Sequence, residues 1–142
     1  MKNIAAFILI ASISTGCVSL SPSDASKLNE LRALGINEEA VVKKSPGAAG
    51  ALNILPGVGN FYLASGTREG SQWTYGFLNL LFWPLSVVWS IPQAAIDAQT
   101  INKMETVYFY TYDPEGKRQL EARKSSSQTT PLSNQSSVTN GF

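Results

Sequence analysis

The sequence predicts a mainly α chain with short N-terminal helices, an apolar helical hairpin, one small C-terminal β-hairpin and a disordered tail. Three observations carry that reading. No charge occurs from Ser45 to Thr67 or from Ser71 to Ile96. A β-branched and aromatic run, Thr106 to Tyr112, leads straight into Asp113-Pro114-Glu115-Gly116. Ser125 to Phe142 is rich in Ser, Thr, Asn and Gln and carries no charge. With 142 residues the chain has room for one small domain at most.

Composition excludes several classes of function. Lys plus Arg is 11 and Asp plus Glu is 10, so the net charge of +1 gives no long-range pull on nucleic acid. Histidine is absent and cysteine occurs once. That removes Ser-His-Asp and Cys-His catalysis, His-containing zinc sites and disulfides within the chain. The acidic residues are scattered, and Glu38 and Glu39 are helix neighbours that do not face one another. Gly57-Val58-Gly59 lacks the third glycine and the basic residue of a phosphate loop. The reading is therefore no enzyme, no cofactor, no metal site and no evident small-molecule substrate.

The first segment is an address. Lys2 is a positive n-region, and Ile4 to Ile13 is an apolar stretch of about ten residues, too short to span a bilayer. Ser14, Thr15 and Gly16 precede the lone Cys17. This resembles the lipobox of bacterial lipoproteins, with Ser14 standing where that family usually has Leu. The resemblance implies a diacylglycerylated Cys17 thiol (palmitate being a typical acyl chain), signal peptide 1–16, and a mature chain starting at 17. Loss of Lys2 would leave 10 basic against 10 acidic side chains. The expected localisation is a bacterial cell membrane, lipid-anchored on its periplasmic side. Val18 stands where an Asp would retain such a lipoprotein in the inner membrane, which implies the outer one; the apolar hairpin favours the inner.

Residues 17–45 are expected to form a tether and short helices. Val18 to Ser23 reads as a polar tether. Ser23 or Asp24 can cap a helix that ends at Gly35, with Leu28, Leu31 and Leu34 along one side. Asn37 can cap a second helix, Glu38 to Lys44, with acids at its positive end and Lys43 and Lys44 at its negative end.

Residues 46–98 form the expected hairpin. Ser71 to Ile96 is long enough to cross a hydrocarbon core of about 30 Å at 1.5 Å per residue. Phe77 to Ile91 is apolar all round, which places a helix in a core or in lipid. Pro84 and Pro92 would kink it. Thr67 to Gly70 is the polar turn, and Asn53, Asn60 and Asn79 should face a partner helix or backbone. Lys43, Lys44 and Lys103 put the flanks inside by the charge rule, whereas the lipid anchor puts them on the periplasmic side. A shallow hairpin that does not cross fully would reconcile the two. Asp97 ends the apolar run, either as a solvated interfacial carboxylate or paired with Arg68 or Lys103 to fix the hairpin depth.

Gly59-Asn60-Phe61-Tyr62-Leu63, with Asp97 beyond the second apolar run, resembles TM2-type proteins over residues 47–98. Ala64 stands where that family has Gly. The resemblance implies two paired membrane helices and no particular reaction.

Residues 99–124 are read as the β-hairpin. Thr106 to Tyr112 contains strong strand formers, with Tyr108, Tyr110 and Tyr112 on one face, and Asp113 to Gly116 turns back into Lys117 to Glu121. Residues 125–142 are too polar to offset the cost of ordering. The functional expectation is a lipid-anchored envelope protein with a membrane-associated hairpin and a structural or partner-docking role, the partner being another envelope protein or a second copy of the chain. The alternative is a membrane-active or transport accessory working as an oligomer. Membrane lipid is a partner on either reading, and nucleic acid on neither.

Overall fold

The computed structural model describes residues 18–83 and 85–128. Six helices run through them in chain order: α1 (Pro22–Ala33), α2 (Pro46–Leu52), α3 (Val58–Ala64), α4 (Ser71–Leu81), α5 (Val87–Tyr112) and α6 (Pro114–Gln128). The described chain is mainly α, as its sequence pattern predicts. No strand occurs among the described residues.

The expected β-hairpin is therefore wrong. Thr106 to Tyr112 is the last part of α5, and Pro114 opens α6. Burial overrides strand propensity here. Val107 and Tyr110, three apart on one helical face, join Leu28, Leu31, Ile36 and Leu120 in one core cluster. Thr106 Oγ1 donates to Asn102 O at 2.9 Å, which suits a helix. The Asp-Pro pair acts as a helix start: Asp113 Oδ1 accepts from Glu115 N at 2.8 Å, and Pro114 takes the first helical position. Gly116 lets α6 fold over α5, because a Cβ there would lie 2.2 Å from Phe109 O. Ser125 to Gln128 continue α6, so the first four residues of the expected disordered tail are helical, and 129–142 lie outside the described residues.

α1 starts at Pro22 with Ser21 as its cap, its Oγ accepting from Asp24 N at 3.1 Å. The expected second helix over Glu38 to Lys44 does not form. Asn37 makes only a turn, accepting from Glu39 N at 2.9 Å. The segment then lies along α5, whose side chains satisfy its amides. Val41 N donates to Thr106 Oγ1 at 3.0 Å, and Lys43 N and Lys44 N donate to Asn102 Oδ1 at 3.0 and 2.9 Å.

The hairpin of two near-spans is also replaced. α2 and α3 are 7 residues each and α4 is 11. No described helix is long and apolar enough to cross a membrane. Two short hairpins, α2–α3 and α4–α5, take its place. Gly57 makes the bend into α3 with φ +80°, and a Cβ there would meet Gly76 O at 2.2 Å. Pro92 lies inside α5; the expected kink at Pro84 and the anchor at Cys17 lie outside the described residues.

Candidate functional site: an uncharged end and its polar spine

Charge divides the molecule along α5. Every charged side chain of residues 18–128 lies outside 45–67 and 71–96. α1, the C-terminal half of α5 and α6 make a charged body around the Leu28–Leu120 cluster. α2, α3, α4 and the start of α5 make an uncharged end. Both short hairpins point that end the same way. α2 runs antiparallel to α5, with Lys44 N bonded to Asn102 and Asn53 Nδ2 to Ser90 O at 2.8 Å. α4 is likewise antiparallel, its start bonded to Asp97 and Asn79 O accepting from Ser86 Oγ at 2.8 Å.

The uncharged end has an inverted distribution of bulk. Its interior is Ala49, Leu63, Ala94, Ala98 and close glycine contacts, while large apolar side chains face outward. Ile54 and Leu55 are exposed at the first apex, and Phe77, Leu80, Leu81, Phe82, Trp83, Leu85 and Val88 at the second. Phe61 links Trp73 and Phe77 through ring contacts of 5.4 and 5.3 Å.

A buried polar spine runs through this end. Asn53 Nδ2 and Asn79 Nδ2 donate to Asn60 Oδ1 at 3.1 and 2.8 Å. Asn60 Nδ2 donates to Gln72 Oε1 at 2.7 Å, and Gln72 Nε2 to Asp97 Oδ2 at 3.0 Å. Val18 N donates to Asp97 Oδ1 at 3.0 Å. Each side-chain amide of the spine donates a hydrogen in the direction of Asp97, an acceptor-only group when ionised. The three asparagines thus face inward, as expected of costly polar groups in an apolar segment.

Asp97 is not the solvated carboxylate anticipated. It is fully buried, and burial raises its carboxyl above the usual value. The Gln72 and Val18 donors pull the other way, and nearby Glu69 adds to the rise. Its hydrogen bonds go to neither Arg68 nor Lys103. Lys103 Nζ pairs with Glu38 at 3.0 Å. Arg68 lies over the Tyr108 ring, 3.0 Å from its centroid, and 4.0 Å from Glu105. The three residues singled out in sequence therefore mark one boundary without forming one cluster. Lys44 belongs to that boundary too: its buried ammonium donates to Tyr62 O at 2.5 Å and to Ser65 O, closing the end of α3.

Val18 is no tether residue either, being half-buried against the Ala49–Ile101 cluster, while Leu20 packs on the Leu28–Leu120 cluster. Sequence reasoning missed Val18, Gln72 and Glu105. Gln72 left one readable sign: it lies seven residues before Asn79, two turns along one face of α4. On the charged side of the boundary, a cleft of about 210 Å³ is lined by Asp24, Arg68, Glu69, Glu105, Tyr108 and Tyr112. That is below the roughly 300–1,000 Å³ typical of ligand pockets. No group of potential metal ligands occurs among the described residues. The chain matches no family model, no curated protein and no solved structure.

Proposed function

We propose that the chain is a lipid-anchored bacterial envelope protein that seats its uncharged end in a membrane and presents its charged body to a protein partner. The observation that carries this is the outward-facing apolar set around Phe77 to Val88, in a region without a charge. In water such a surface is a liability; in lipid it is the expected exterior. The lipobox-like Cys17 supplies a second attachment, and two or three acyl chains hold firmly at roughly 0.8 kcal/mol per buried CH2. A structural or docking role fits the absence of a catalytic constellation. The oligomeric transport reading has less support, because Asn53, Asn60 and Asn79 are committed to hydrogen bonds inside one chain.

The test is a Cys17→Ser protein carrying an ordinary cleavage site. It should stay in the membrane pellet after a carbonate wash. Full release would show that acylation alone attaches the chain. In the native chain, palmitate label should be incorporated, and Cys17→Ala should lose it.

A further inference from the structure

The polar boundary, the N-terminal attachment and the length of the uncharged end all fall in register. Val18 N is fixed to Asp97, and Asp97 to Gln72, so these three residues share one level of the molecule. Val18 is the residue next in sequence to the lipobox-like Cys17. Beyond the level, α5 extends ten residues back from Asp97 to Val87, and α4 nine residues onward from Gln72 to Leu81. At 1.5 Å per residue they project about 15 and about 14 Å. One leaflet of a hydrocarbon core is about 15 Å deep.

We propose that the uncharged end enters one leaflet only, the same leaflet as the acyl chains on Cys17, with the Val18–Asp97–Gln72 level at the headgroup boundary and the Phe82–Leu85 apex near the bilayer midplane. This rests on the membrane-seated reading and adds its depth and side. Three features fit. Charges resume at the boundary, with Lys44, Arg68 and Glu69 just outside it. Two backbone groups that such a broken structure leaves inside are met by Asn53, whose Oδ1 accepts from Gly59 N at 2.9 Å and whose Nδ2 donates to Ser90 O. Val18, next in sequence to Cys17, sits at the level at which the uncharged end starts, so acyl chains carried on Cys17 would enter the leaflet from that level.

Native tryptophans read the depth. Trp73 lies one residue past Gln72, and Trp83 lies at the apex. Full-length acylated protein is reconstituted into phosphatidylethanolamine–phosphatidylglycerol vesicles bearing a nitroxide on a shallow or a deep acyl carbon. Paired Trp→Phe changes leave one tryptophan at a time. The ratio of deep to shallow quenching should exceed one for Trp83 and fall below one for Trp73. A Phe82→Cys side chain should resist an impermeant maleimide from both faces of sealed vesicles and react once detergent is added. Two ratios below one would mean that the end lies flat, and labelling from the far face would mean that it crosses; either overturns the proposal. Absence of quenching at every tryptophan, with the acylated chain still floating with vesicles, would instead remove the membrane-seated reading beneath it.

Discussion

The side-chain amide of Gln72 donates to the buried carboxylate of Asp97 at 3.0 Å, joining the start of α4 to the middle of α5. The same side chain accepts from Asn60 at 2.7 Å. Gln72→Ala therefore removes a donor from a buried carboxylate and an acceptor from a buried amide. It should destabilise by about 2 kcal/mol or more, since each unsatisfied group costs roughly 1–3 kcal/mol. Denaturant unfolding in detergent would measure this, and an unchanged midpoint would dismiss the spine as an energetic element.

Asp97 also makes stability depend on pH. Burial raises its folded-state value above the ordinary 3.8. A group raised in the folded state contributes stability below its unfolded value and loses it as pH rises through the folded value. Asp97→Asn carries no such titration. The variant should gain on the wild type as pH climbs from about 4 upward. Parallel unfolding curves across that range would contradict the assignment.

Interior glycines and exterior aromatics should respond in opposite ways. Gly57→Ala forces a Cβ into a backbone with φ +80° and against Gly76 O. It should cost about 2 kcal/mol or more. Val88, 81% exposed, should tolerate Val88→Ser with a change in fold stability within about 0.5 kcal/mol. The same change should weaken membrane retention of the Cys17→Ser protein, scored by carbonate extraction.

The aromatic run offers a direct check of helix against strand. A strand would put Tyr110 and Tyr112 on one face, with similar costs on truncation. In α5, Tyr110 is 6% exposed and Tyr112 is 63% exposed. Tyr110→Ala should cost about 3 kcal/mol or more. Tyr112→Ala, which removes a ring 4.9 Å from that of Tyr108, should cost about 1 kcal/mol or less. Thermal unfolding of the pair decides between the two geometries.

What could be read from the chain was chiefly its partition. The uncharged stretches, the inward Asn53, Asn60 and Asn79, and the packing of Leu28 and Leu31 follow from burial cost and helical period alone. The errors share a cause, because each concerns a residue whose partner is far away in sequence. Thr106 to Tyr112 is locally strand-like and becomes helical because α1, Ile36 and Leu120 cover Val107 and Tyr110. Glu38 to Lys44 is locally helix-like and stays non-helical because Thr106 and Asn102 take the amides of Val41, Lys43 and Lys44. Asp97 looked like an interfacial charge because nothing nearby in sequence announced Gln72 or Val18 as donors.

The Val18–Asp97 hydrogen bond spans 79 positions. A chain made from its N-terminus holds Val18 long before it holds Asp97. The bond between them closes a loop of about 80 residues, a cost that no local contact repays. Gln72, 25 positions from Asp97, is the nearer donor and can be in place first. The carboxylate thus gathers its partners in order of loop length, and Val18 is the late arrival that ties the start of the described chain to the middle of α5.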